Sequence, residues 1–281
     1  MKVSGFTVAR NVIKFDYPAV EAITSILPVC DEFIVNVGDS EDATLDLIRS
    51  IGSPKIRIVE NAWDPKMRKS GRVLAYQTNL ALEECTGDWA FYIQADECVH
   101  EKYLPIIREN LERRLNDPEV DGFSFKYVHF YGAYSKVVPP EWDWYKESIR
   151  IIRNDRTMIS DGDATSFRKL RLYKQRMNSR LNFNREFIRR LDDFFFPRVR
   201  NIPSGAEMYH YGWVRPPHIM MQKKIEFESF YSPDNATLDK HPMKDHQFNY
   251  GNVAALPDFK GTHPAVMSKR IEAWQKAFRQ R

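Results

Sequence analysis

Asp88-Trp-Ala-Phe-Tyr-Ile-Gln94-Ala95-Asp96-Glu97 is an apolar run, Trp89 to Ile93, that stops abruptly at two adjacent carboxylates. Such a run reads as a buried strand, which leaves the acids at its C-terminal tip. Open α/β sheets bind ligands in crevices at the carboxyl ends of their strands. Hard divalent cations such as Mg²⁺ and Mn²⁺ take carboxylate oxygens, with phosphate and water completing the shell. The stretch therefore points to a metal–diphosphate site. A plainer reading stands beside it, because acids are also favoured in the first turn of a helix that follows a strand.

Outward from this stretch, the first half of the chain alternates strand and helix patterns. Val3–Ala9 reads as a strand, followed by a helix over Pro18–Leu27 with Asp16 as N-cap and Pro18 in the first turn. Glu32–Val37 is a second strand, and Asp42–Ile51 a helix stopped by Gly52. Lys55–Glu60 is a third strand, Arg72–Cys85 a helix, Trp89–Gln94 a fourth strand and Tyr103–Leu115 a further helix. This alternation predicts an α/β fold: a mostly parallel, Rossmann-like central sheet flanked by helices.

After Asp117-Pro118 the texture changes. Gly122–Phe130 alternates and is aromatic, which suits an antiparallel or edge strand. Pro139 to Tyr145 reads as an irregular aromatic loop, Ser148–Arg153 as a strand and Asp161-Gly162-Asp163-Ala164 as a turn. A basic segment follows, then Pro203–Gly212, then a mainly helical C-terminal extension over 216–281.

The 281 residues are 43% apolar and 28% charged, the composition of a soluble globular protein. No apolar run approaches the roughly 18 residues of a membrane span, and the N-terminus is too polar for a secretory leader. Cytoplasmic residence is the expectation. Cys30, Cys85 and Cys98 are odd in number without Cys-x-x-Cys spacing, so neither a disulfide framework nor a zinc site is indicated. Residues 168–190 hold nine basic residues against one acid, Glu186, in a chain of net charge +4. The rest of the chain is therefore net acidic. A block of this kind is a solvated face or a contact with an anionic partner.

Three strand ends finish in small or polar residues: Ala9-Arg10-Asn11, Gly38-Asp39-Ser40 and Gln94-Ala95-Asp96-Glu97. In a parallel sheet all three meet on one rim, where Asp39 could accept hydrogen bonds from a base or ribose. Asp39 and Ser40 could equally cap the next helix. Neither a Walker loop nor a Gly-x-Gly-x-x-Gly fingerprint is present, which counts against ATP hydrolysis and nicotinamide chemistry.

These motifs, with Gly71-Arg72, Asn79, Ala81 and Gly87-Asp88-Trp in the same order, resemble family-two glycosyltransferases of the GT-A fold. The resemblance covers residues 3–110 well, and Met208-Tyr-His210-Tyr-Gly212-Trp-Val-Arg215 looks like the family's late metal-binding region. It implies a glycosyltransferase domain over 1–215, with a nucleotide-sugar half (1–117) and an acceptor half (118–215). Ala9, Arg10, Asn11, Asp39, Arg72, Gln94 and Ala95 would then bind the nucleotide-sugar. Asp96 and His210 would hold a divalent metal, Mn²⁺ or Mg²⁺, on its diphosphate. The chain departs from the family at Gln94, where an aspartate usually opens the Asp-X-Asp motif. Glu97 would compensate for the lost charge, or else open the next helix.

Inverting transfer, which the resemblance implies, needs a general base on the acceptor side. The candidates are Asp163 and Asp161 in the Asp-Gly-Asp turn, then Glu147 and Asp143 beside the aromatic loop. Trp142, Trp144 and Tyr145 present flat rings that suit the apolar faces of an acceptor sugar. The donor is expected to be a nucleoside-diphosphate sugar, and the acceptor a saccharide or a lipid-linked saccharide. Peripheral contact at the inner membrane face and no nucleic-acid partner go with that reading. The rival from another class is a non-catalytic module whose 168–190 segment grips nucleic acid or anionic lipid.

Overall fold

Strand β1 (Val3–Ala9) is buried along nearly its whole length, as a strand with helices packed on both faces must be. The computed structural model describes residues 1–64, 67, 71–170, 199–231 and 247–279. Strands β2 (Glu32–Gly38), β3 (Ile56–Asn61) and β4 (Trp89–Tyr92) run parallel to β1 in the order β3-β2-β1-β4. Helices α1 (Ala19–Ile26), α2 (Thr44–Arg49) and α3 (Arg72–Glu83) make the crossovers. The registers pair Ala9 with Val37 and Phe6 with Tyr92, so the strand tips of this half share one edge.

The sheet continues through a different texture. Beside β4 lies β8 (Glu147–Arg153), antiparallel, then β6 (Gly122–Tyr131), then β11 (Asn201–Trp213), parallel to β6. The far edge is β5 (Glu97–Val99), antiparallel to β11, and β7 (Ala133–Val137) pairs with β6. Gly122–Phe130 is thus an interior strand rather than an edge. A separate hairpin, β9 (Met158–Asp161) and β10 (Ser166–Lys169), carries the Asp161-to-Ala164 turn.

Helix α1 and α4 (Leu104–Arg113) cover one face through Ile23, Ile26, Ile107 and Leu111. Helix α3 and the hairpin cover the other through Ala81, Leu82 and Phe167. This is an α/β fold with a Rossmann-like parallel half flanked by helices. Beyond residue 216 lie α5 (Pro217–Ser229) and α6 (Ser268–Arg279), separated by a largely irregular stretch among the described residues. The three cysteines are buried and free.

Local expectations fail where tertiary contacts outweigh them. Asp16 does not cap α1: it takes a positive φ of 50° and pairs with Arg270 at 2.5 Å. Asp42, one residue before the N-cap Ala43 of α2, accepts from the Thr44 amide at 2.9 Å. Glu97 neither opens a helix nor reaches outward. It lies in β5, fully buried, and receives Arg150 through Nε at 2.9 Å and Nη2 at 2.8 Å. Tyr127 Oη donates to the same carboxylate at 2.6 Å and the Gln94 amide at 3.0 Å. A carboxylate has about four acceptor sites, and these four donors fill them. Arg150, also fully buried, reaches Ser148 Oγ at 3.0 Å and the Thr165 carbonyl at 3.0 Å.

Removing one partner of such a pair strands a buried charge, at a cost of about 3–5 kcal/mol. Arg150→Met is therefore expected to destabilise the protein by about that amount in urea denaturation. The double variant Glu97→Leu/Arg150→Met should recover much of the loss. A double variant no more stable than the single one would refute this account.

Candidate active site

At the carboxyl ends of β1 and β4 a cleft of about 350 Å³ opens, within the range of small-molecule sites. Arg10 follows β1 into it, and Gln94, Ala95 and Asp96 follow β4. His210 and Trp213 enter from β11, Tyr145 from the aromatic loop, Asp163 from the hairpin turn, and Lys223 and Glu226 from α5.

The structure brings Asp96 and His210 together, with His210 Nε2 3.9 Å from Asp96 Oδ2. Their pairing follows from topology, since β5 leaves the Asp96 turn to run antiparallel to β11, and the Tyr211 amide donates to the Asp96 carbonyl at 2.8 Å. Gly212 must lack a side chain, because a Cβ there would lie 2.4 Å from His210 Nε2 and 2.8 Å from Asp96 Oδ2.

Two cations stand on the same carboxylate. Lys223 Nζ donates to Asp96 Oδ2 at 3.2 Å and to the Gly212 carbonyl at 2.9 Å. Arg215 Nη2 lies 3.8 Å from Asp96 Oδ2 and has no hydrogen-bond partner. That guanidinium is fully enclosed, held by the Phe15 and Gly212 carbonyls, and stacks over Tyr17 at 4.4 Å. Burial would raise the Asp96 carboxyl, but Lys223, His210 and Arg215 hold it well below the usual carboxylate range. Burial, reinforced by Arg215, pushes Lys223 down to about 7 against the pull of Asp96. Burial also pushes His210 down to about 4, so its imidazole is neutral.

The remaining imidazole contacts fix its tautomer. His129 Nε2 lies 2.8 Å from the Tyr145 carbonyl, which can only accept, so Nε2 carries the proton. Burial keeps His129 deprotonated at its other nitrogen, and His129 Nδ1 must then accept from His210 Nδ1 at 2.9 Å. His210 Nε2 is left with a bare lone pair beside Asp96.

These donors do not fit a resident divalent ion. Gln94 carries no charge, and all four acceptor sites of Glu97 are spent inside the protein. Among the described residues no group of three His, Cys, Asp or Glu side chains converges. The two donors that do meet are accompanied by an ammonium and a guanidinium, which repel a cation.

Other expected site residues take varied places. Arg10 donates to the Asp39 carbonyl at 3.0 Å, pairs with Glu226 at 2.6 Å and lies over Trp63 at 5.3 Å. Asp39 stands on the outer rim, more than half exposed, accepting from the Trp63 amide at 3.0 Å. Trp63 lines the cleft there, and its indole Nε1 has no partner. Ala9 and Asn11 are buried behind the rim. Asn11, at a φ of 51°, ties the β1 tip to the next loop by accepting from the Glu41 amide at 2.7 Å. Arg72 opens α3 and does not line the cleft.

Asp163 lines the cleft and accepts from Tyr231 Oη and Thr165 Oγ1, both at 2.8 Å. Asp161 is paired with Arg168 across the hairpin at 2.7 Å and lies outside the cleft. Glu147 accepts from Ser124 Oγ in an adjoining depression that shares Tyr145, Asp163 and Thr165 with the cleft. Tyr145 reaches the cleft, whereas Trp142 packs on Tyr131 at 5.2 Å and Trp144 on Trp213 at 5.3 Å. Of the basic segment, Arg168 and Lys169 are ion-paired and residues 171–190 lie outside the described residues. No described helix is long and apolar enough to cross a membrane.

The site and sheet together define an α/β protein with its cleft at the parallel strand ends. No protein-family model and no curated protein matches the sequence. Among solved structures the chain is similar to a crystal structure of S. aureus TarS, residues 1–349. Identity is 12%, over 85% of this chain and 69% of that one, with a TM-score of 0.42. Its UDP complex gives 14% identity over the same shares and a TM-score of 0.41. Glucosyl-3-phosphoglycerate synthase from Mycobacterium tuberculosis, crystallised with Mn²⁺, UDP and phosphoglyceric acid, is 21% identical. That likeness spans 46% of this chain and 43% of that one, with a TM-score of 0.32.

The hydrogen-bond chain makes a direct spectroscopic prediction. At neutral pH, ¹⁵N NMR should find His210 protonated at Nδ1 and bare at Nε2. His129→Phe removes the acceptor and should shift the His210 proton toward Nε2. An Nε2–H tautomer in the unaltered protein would contradict the network.

Proposed function

We propose that this protein is a glycosyltransferase that moves a sugar from a nucleoside-diphosphate sugar to a hydroxyl of a saccharide or lipid-linked acceptor. One observation carries the reading. A single cleft at the parallel strand ends holds an anion-receptive group, Asp96 with its attendant cations, and a separate half-buried carboxylate, Asp163, that has no ion-pair partner among the described residues. The first suits a departing diphosphate and the second an attacking hydroxyl. The Trp63 ring, which lines the cleft, and Asp39 beside it suit the base and ribose.

The reaction is a direct displacement that inverts the anomeric carbon. The acceptor oxygen bonds to that carbon as its bond to the diphosphate oxygen breaks, and the nucleoside diphosphate leaves. Asp163 takes the hydroxyl proton. Its hydrogen bonds from Tyr231 and Thr165 fix the carboxylate while leaving acceptor sites free. Tyr145 covers the acceptor side, where the depression lined by Glu147 and Ser124 adjoins. The resemblance implies that a divalent cation relieves charge on the leaving group. The donors around Asp96 do not support that part of the expectation, and no step here passes through a metal.

The first test is a screen of nucleotide sugars read out by nucleoside diphosphate release, with mass spectrometry of the glycosylated product. Asp163→Asn should lower kcat by about 10²–10⁴-fold with little change in KM, the usual contribution of a positioned base. Asp96→Asn, which keeps an oxygen acceptor for Lys223, should cut turnover sharply, whereas Asp96→Ala should also lower the thermal melt because it strands two buried cations. Unchanged turnover in Asp163→Asn or Asp96→Asn removes that residue from the site.

A further inference from the structure

Transfer from a nucleoside diphosphate needs positive charge opposite the leaving phosphates. In an Asp-X-Asp site several carboxylates gather a divalent ion to provide it. The charge count here runs the other way. Glu97 is cancelled by Arg150 inside the protein, Gln94 is neutral, and His210 is held as a neutral imidazole. Among the described residues Asp96 is then the anion left at the cleft floor, flanked by Lys223 and Arg215, with Glu226 and Asp163 elsewhere on the lining. With Lys223 protonated, as it is below a pH of about 7, the floor is net positive before any ligand arrives.

The two cations divide the work. Arg215 is fully enclosed and does not line the cleft, so its unpartnered Nη2 acts through the field it places behind Asp96. Lys223 does line the cleft. Its ammonium has three donors, of which Asp96 and the Gly212 carbonyl take two. The Gly212 carbonyl accepts from both cations, which locks their relative position. Three residues further along α5, Glu226 grips Arg10 at 2.6 Å, a second tie that holds the helix with Lys223 over the cleft floor.

We propose that Lys223, backed by Arg215, receives the donor's diphosphate in the place where related sites hold a metal, so that donor binding needs no divalent cation. This inference rests on the nucleotide-sugar reading given above. It makes Asp96 an orienting group that holds the ammonium, with His210 packed beside it as a neutral acceptor.

Calorimetry on the full chain tests it, with UDP and GDP as probes, each in excess EDTA and in excess Mn²⁺. Affinity for the bound nucleotide should be the same in both within about twofold, since charge-assisted hydrogen bonds supply the contact. Lys223→Met should weaken binding in EDTA by at least about tenfold, the loss expected for a hydrogen bond to a charged group. Lys223→Arg should retain most of it. In Lys223→Met the Asp96–His210 pair is freed of its ammonium, so added Mn²⁺ should recover part of the affinity, a response that mere loss of packing would not produce. Binding by the unaltered protein only when Mn²⁺ is present, or unchanged affinity of Lys223→Met in EDTA, overturns the proposal. No binding of either nucleotide under any condition overturns the donor reading and this inference with it, a result distinct from metal-requiring binding.

Discussion

The Glu97–Arg150 ion pair is the interaction on which the rest of the structure depends. It joins β5, β8 and the tip of β4 and is fully enclosed. Tyr127 on β6 and the carbonyl of Thr165 add further ties. Ionised groups of this kind are costly to bury and stay charged only when every lone pair and proton is matched. Here the matching fixes the turn that presents Asp96. It also aligns β5 with β11, which brings His210 beside that carboxylate. The antiparallel half of the sheet is thereby held in register with the parallel half, and the cleft exists because of that junction.

This junction explains how a sequence can look so much like a metal site and be built differently. Two adjacent acids at a strand tip suggest two ligands. One of them turns back into the protein to satisfy an arginine 53 residues away and is lost to any ligand. The other keeps its charge and gathers cations from elements late in the chain. Side-chain chemistry at a strand end is therefore decided by the partners that the sheet order delivers.

Much of the architecture was legible in the sequence. Apolar runs of strand length alternating with amphipathic segments located β1 to β4 and α1 to α4, and the termini of those strands identified the rim. Asp96, His210, Gln94, Arg10 and Asp163 were all named from motif and position, and all five line the cleft. What stayed hidden was long-range pairing. Nothing near Glu97 announces Arg150, and nothing near Asp16 announces Arg270. The aromatic loop offered three rings for a ligand, but Trp142 and Trp144 are consumed by Tyr131 and Trp213, which no local pattern reveals. Lys223 had no signal of its own. It follows Pro216-Pro217, a plain helix start, and gains meaning only when α5 folds back over the strand tips.

Helix α5 has Met220 as its one fully buried residue, and the Arg10–Glu226 and Asp96–Lys223 contacts are among its ties to the strand tips. Segments with so little buried apolar surface open at a lower free energy than the core around them. The wall of the cleft is thus also its weakest part. Warming or concentrated salt should silence the protein while the sheet beneath is still intact, so that loss of performance and loss of fold become two separate events.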